Sequence, residues 1–288
     1  MRSSWSSEAI MAPTPSRRPY PTDLTEAQWR LLERLVVPNR GPGRHSTVDL
    51  REIVNALLYL KQAGCAWRLL PHDFPNWTTV RYYFDKWTLD GTWEAINTAL
   101  REQVRTRAGR SAQPTAGLLD SQTVKTAEAR TERGWSGHKQ LVGRKRHVLV
   151  DTQGCLLGIV VLAANVSDQV GALALLGLCA ASYPLLAKLW ADQAYGGDLP
   201  AWIQAQFGIA VGIVTKLAEQ QGFVVLPKRW IVERTLAWLS RGRRLKLDYE
   251  RDPAYSEAWI YIASIHRMLQ QLAPDPAAVK PYQRRQAA

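Results

Sequence analysis

The chain predicts an α/β fold: a mixed sheet flanked by helices, preceded by a small all-α unit. Three observations carry that expectation. Between residues 48 and 105 apolar side chains recur at helical spacing, whereas between 116 and 214 short β-rich runs alternate with helical segments. A polar stretch with Gly, Ser and Pro, residues 107–114, separates the two patterns. The boundaries read as a disordered lead over 1–19, the all-α unit over 20–106, a linker over 107–114 and the sheet-bearing domain over 115–288.

The lead is rich in Ser, Pro and Arg and lacks an apolar signal-peptide core, and Met11 is an alternative start to Met1. Residues 22–29 resemble a capped helix start, with Leu31, Leu32 and Leu35 following at helical spacing. Residues 38–44 form a basic, flexible break. A second helix runs from about Val48, repeats apolar residues from Leu50 to Leu60, and ends near Gly64. Thr78 is the expected N-cap of a third helix, which places Val80, Tyr83, Phe84 and Trp87 on one side and Arg81, Tyr82 and Lys86 outside. A fourth helix covers residues 92–105. The unit is helix-turn-helix-like, and its third helix is a candidate for a DNA groove through Arg81 and Lys86. A packing unit with solvated arginines fits the same residues.

In the second part, residues 116–120 make a short apolar strand ending in Asp120, and a long basic loop follows to Gly143. Two β-rich runs, 144–150 and 155–162, surround the turn Asp151-Thr152-Gln153-Gly154, a hairpin signal. Then come a helix over 169–181, a strand over 185–191 ending beside Asp192, a helix over 199–207, a strand over 209–214, a helix within 228–241 and a terminal helix over 255–272. The order is β-β-β-α-β-α-β-α. On the 228–241 helix Ile231, Val232, Thr235, Leu236, Trp238 and Leu239 share one side. Glu233 centres the other side, with Arg229 one turn before it and Ser240 and Arg241 two turns after.

The 37 Lys and Arg against 25 Asp and Glu, a net charge of +12, call for a polyanionic partner, most simply nucleic acid. No run of 18 apolar residues is present, so no membrane span is expected. Cys65, Cys155 and Cys179 are odd in number and widely spaced; they suit a reducing compartment and a packing role rather than a zinc knuckle. Trp190 and Trp202 are expected in the core.

Asp120 and Asp192 sit at the carboxyl ends of strands, where open α/β sheets place their sites. If the first and fourth strands are neighbours the two acids converge, and a helix laid across them delivers Glu233. Three carboxylates without a histidine or thiolate cluster suit Mg²⁺ or Mn²⁺ better than zinc. Two such ions about 3.5–4 Å apart activate an attacking oxygen and stabilise the leaving oxygen of a phosphodiester. With 25 acids in the chain many other triples exist, and a strand-terminal Asp is also a common turn residue.

Several segments in one order carry a resemblance to DDE transposases of bacterial insertion-sequence family five. They are Tyr20-Pro21-Thr22-Asp23-Leu24-Thr25, Gly64-Cys65-Ala66-Trp67-Arg68-Leu69-Leu70-Pro71, Asp120-Ser121-Gln122-Thr123-Val124-Lys125, Gly143-Arg144-Lys145-Arg146-His147, Ala164-Asn165-Val166-Ser167-Asp168, Ala191-Asp192-Gln193-Ala194-Tyr195 and 226–234. The resemblance covers nearly the whole chain. It implies a ribonuclease-H-like catalytic domain with Asp120, Asp192 and Glu233 as a metal-binding triad for two Mg²⁺ or Mn²⁺ ions. It also implies binding of terminal inverted repeats in double-stranded DNA, strand cleavage and transfer, a dimer on DNA, and a cytoplasmic, nucleoid-associated bacterial protein. Related families carry Tyr, Arg, Glu and Lys in register on the helix that corresponds to residues 228–241. Here Arg229 holds the Arg place, Leu226 and Ser240 hold the Tyr and Lys places, and Arg241 is the expected substitute for the lysine.

The remaining basic residues are assigned to the DNA backbone. They are Arg234, Arg243, Arg244 and Lys246 around the helix, and Lys125, Arg130, Arg133, His138, Lys139, Arg144, Lys145 and Arg146 along the basic loop and the strand after it. A solvated loop is the plain alternative for the loop residues. Asp168 is expected to be a helix N-cap rather than an acid behind the site. A nuclease on the same fold and a DNA-binding regulator that does not cut are the competing functions.

Overall fold

A computed structural model describes residues 17–36, 48–127, 132–214 and 228–276. Most of the expected lead, the break at 38–44, Arg130 and Leu226 lie outside the described residues. The first four helices are α1 (Glu26–Val36), α2 (Leu50–Ala63), α3 (Trp77–Leu89) and α4 (Thr92–Arg107). Thr25 and Gln28 cap α1 reciprocally: the Gln28 N–H donates to Thr25 Oγ1 and the Thr25 N–H to Gln28 Oε1. Asp49 accepts from the Arg51 N–H at the start of α2, and Gly64 closes that helix in the left-handed region. The cap of α3 is Asn76, not Thr78: its side chain accepts from the Thr78 N–H at 2.9 Å, so the helix begins two residues earlier than expected.

The sheet contains β1 (Ala116–Lys125), β2 (Gly134–Ser136), β3 (Leu141–Asp151), β4 (Leu156–Ala163), β5 (Lys188–Ala191) and β6 (Ala210–Ile213). β3 pairs antiparallel with β1 on one edge and with β2 and then β4 on the other. β1 pairs parallel with β5, and β5 with β6. The first and fourth expected strands, now β1 and β5, are therefore neighbours. The basic stretch from Thr123 to Gly143 is not one loop: its ends extend β1 and β3, and β2 lies between them. Helices α5 (Asp168–Cys179) and α6 (Leu199–Phe207) cover one sheet face, burying Leu119, Leu149 and Leu189 with Leu175, Leu176 and Ile203. The other face, with Leu118, Val148 and Val150, packs under α7 (Arg229–Leu239) and α8 (Pro253–Leu272).

That second core is continuous with the interior of α1 to α4: Ile53, Leu57, Phe84 and Leu100 join Trp259, Ile262 and Met268 of α8. Phe84 stacks on Trp259 with ring centroids 4.7 Å apart. No helix among the described residues is long and apolar enough to cross a membrane. Of the two tryptophans expected inside, Trp190 is half-buried, but Trp202 is 45% exposed on α6.

Candidate catalytic site

Asp120 was expected at a strand end and lies mid-strand, opposite Val148, because β1 continues against β3 to Lys125. The parallel ladder to β5, however, stops at Leu118–Trp190, so Asp120 stands just past the carboxyl end of that pairing. Asp192 follows β5 directly and accepts from the Ala194 N–H at 2.9 Å, which folds residues 193–195 into a tight turn. α7 crosses the same edge. It buries Ile231, Val232, Thr235, Leu236 and Leu239 and leaves Glu233 on its exposed side, as its period requires.

Arg229 ties the parts together. Its Nη2 lies 3.3 Å from Glu233 Oε1 and 3.6 Å from Asp192 Oδ2. Asp120 feels all three groups. Burial above all pushes its carboxyl up to about 6, the Ser121 N–H and Arg229 oppose the rise, and Asp192 and Glu233 add to it. One cation thus stands among three mutually repelling carboxylates. Their donor set is all oxygen, which fits a hard divalent ion. Among the described residues no three His, Cys, Asp or Glu side chains are gathered into a metal-holding group. The Arg229 guanidinium takes the place between Asp192 and Glu233. The donor atoms suit such an ion by their chemistry, but the three carboxylates are not drawn together around one while Arg229 stands between Asp192 and Glu233.

The edge of α7 departs from the sequence expectation. Ser240 Oγ accepts from Gln122 Nε2 at 3.1 Å, tying the end of α7 to β1 two residues beyond Asp120. Arg241 is exposed just past that tie. Lys228 enters the helix with φ of 71° and sets its Nζ 3.6 Å above the Trp190 ring.

Several basic residues assigned to DNA are engaged inside the fold instead. Arg144 is fully buried and donates to Glu250 O at 2.9 Å, Arg251 O at 2.6 Å and Ser256 Oγ at 3.1 Å, and it pairs with Asp248. Arg146, 1% exposed, donates to Leu245 O. Arg244 pairs with Glu250 at 2.6 Å and donates to Cys65 O. A backbone-contact role fails for these three, because no phosphate can reach them. Lys145 is held by Asp168 and Val166 O. Arg234 lies between the Trp230 and Trp238 rings and donates to Gln153 O, gripping the β3–β4 turn. Arg81 is paired with Asp85 at 2.6 Å and packed on Tyr255, so it does not project freely from α3. Lys86, Lys125, Arg133, His138, Lys139, Arg241, Arg243 and Lys246 are exposed.

The structure also links residues that sequence reasoning left out. Ser167, not Asp168, caps α5, accepting from the Val170 N–H. Asp168 instead accepts from Ser121 Oγ at 2.6 Å, behind Asp120. The only signal in the sequence was that Ser121 follows an acid on a strand and so points to the opposite face.

Comparison with known proteins identifies the family. Residues 111–268 match a family model described as "Transposase DDE domain", and residues 24–97 match one described as "Putative transposase of IS4/5 family". A curated relative from Burkholderia cepacia, "Putative transposase for insertion sequence element IS402", is 30% identical over 116 residues. The match takes in 38% of this chain and 54% of that protein, so the chain spans about half the length of the curated relative.

Proposed function

Since this chain belongs to the DDE transposases of the insertion-sequence 4/5 type, we propose that it binds the terminal inverted repeats of its element and performs metal-dependent DNA strand cleavage and strand transfer. Asp120, Asp192 and Glu233 are the metal-binding catalytic residues in this reading, on a ribonuclease-H-like sheet. The observation that carries it is the single guanidinium of Arg229 bridging Asp192 and Glu233 beside a carboxyl, Asp120, that burial first and then both acids push up. Mg²⁺ or Mn²⁺ bound there, as two ions, would supply Lewis-acid activation of the attacking oxygen and charge stabilisation at the leaving oxygen.

The chain's own residues do the rest. Asp120, ionised above about pH 6, would serve with Asp192 and Glu233 as a ligand, and Arg229 is placed to turn from Asp192 and Glu233 to a phosphate oxygen, where its planar fork would orient the backbone. Arg241, next to Ser240 at the Lys place, is the second phosphate contact. Lys125, His138, Lys139 and Arg243 extend a basic surface from the site. The helix-turn-helix-like unit, with Lys86 exposed on α3, binds the repeat, and two copies act on paired ends. A plasmid carrying this reading frame's flanking DNA tests the assignment. Asp120→Asn should reduce Mg²⁺-dependent nicking to background while gel-shift affinity stays within about twofold. Nicking at the wild-type rate would remove Asp120 from the triad.

A further inference from the structure

On the sheet face opposite Asp120 lies a polar cluster that the triad does not use. β1 alternates its side chains, so Gln122 reaches α7 while Ser121 reaches α5. Ser121 Oγ donates to Asp168 Oδ1 at 2.6 Å, and Lys145 Nζ of β3 stands 3.2 Å from that same oxygen. A third participant arrives from the other acid. Tyr195, three residues beyond Asp192, is 1% exposed, and its neighbour Gly196 accepts from Gln169 Nε2 of α5 at 2.9 Å; burial, then the Asp168 and Asp120 carboxylates, hold the Tyr195 phenol well above the usual range. His147, the cross-strand partner of Ser121, packs against α5 at Gly171, where a Cβ would meet the ring at 2.1 Å. Only glycine lets the first turn of α5 descend that far, and this descent brings Asp168 to Ser121.

The ladder between β1 and β5 ends at Leu118–Trp190, so no backbone pairing joins Asp120 to Asp192. The contact of Ser121 with Asp168 and that of Gln169 with Gly196 span that gap from behind. We propose that Asp168 is a positioning residue that, through Ser121 on β1 and with its neighbour Gln169 on the turn after Asp192, fixes the separation of Asp120 and Asp192 against their mutual repulsion; this rests on the metal-binding reading of the triad. It acts as the outer-shell partner of a ligand does, and loss of such partners typically costs 10–100-fold in metal affinity.

The test is Mn²⁺ titration of the full-length protein, followed by the electron paramagnetic resonance signal of the free ion, with thermal melts in parallel. Asp168→Ala and Ser121→Ala should each weaken Mn²⁺ binding about tenfold or more. Ser121→Thr, which keeps the hydroxyl, should bind as wild type. The double variant Ser121→Ala/Asp168→Ala should lose no more than its worse single, because one contact is broken twice. Wild-type affinity in Asp168→Ala, equal losses in Ser121→Ala and Ser121→Thr, or additive losses in the double variant would overturn the positioning role. Asp120→Asn separates the two readings. If it loses Mn²⁺ binding while Asp168→Ala does not, positioning alone fails; if it binds as wild type, the metal reading falls and this proposal with it.

Discussion

Asp120 lowers the stability of its own fold, because its carboxyl is buried beside two other acids. Its folded-state carboxyl titrates at about 6 against an ordinary 3.8, so the native chain binds more protons than the unfolded chain between those values. Stability therefore falls as pH rises through that window, and the loss is complete above it. Asp120→Asn removes the penalty: it should stabilise the metal-free protein by ~3 kcal/mol at pH 7.5, with the gain gone below about pH 4. Urea denaturation at the two pH values measures this directly. Saturating Mg²⁺ should narrow the difference, because it stabilises only the chain that can ligate it. Arg229 behaves in the opposite sense. Arg229→Ala leaves Asp192 and Glu233 uncompensated, so binding of short duplex DNA should weaken without metal and recover in part with it.

Among the elements, the segment between α7 and α8 is the one whose nature the charge pattern misrepresented. Its cations, together with those at the start of β3, suggested a phosphate-facing surface, yet Arg144, Arg146 and Arg244 form a buried seam that fastens residues 243–256 to β1, β3 and α2. Arginine in sequence says only that a cation needs a partner; here the partners are carbonyls and carboxylates far along the chain. Arg144→Ala should cost about 3–5 kcal/mol, as expected when one member of a buried pair is removed, and a urea melt will show it. Lys139→Ala and Arg243→Ala, on exposed positions, should leave stability within about 0.5 kcal/mol. Each should also lower the slope of log affinity against log salt by about one. If Arg144→Ala weakens DNA binding at unchanged stability, the seam is not structural.

At the scale of the whole molecule, α8 belongs to two neighbourhoods at once. One side closes the sheet and the other fills the middle of α1 to α4, so both share a core around Trp259. Calorimetry should accordingly find one cooperative transition, and a chain starting at residue 111 should expose the α8 face and aggregate at micromolar concentration. Two resolved transitions would show that the helical unit folds independently. The sequence by itself determined the periodic elements, because the spacing of apolar residues is local: α2, α6 and the buried side of α7 could be read from it directly. It also singled out Asp120, Asp192 and Glu233 as candidates, since each follows or interrupts an apolar pattern. The tertiary structure alone decided which cations are buried, that Asp168 backs Asp120 rather than capping α5, and that Arg229 stands between Asp192 and Glu233. Those outcomes depend on pairings between segments far apart in the chain, and no local period records them.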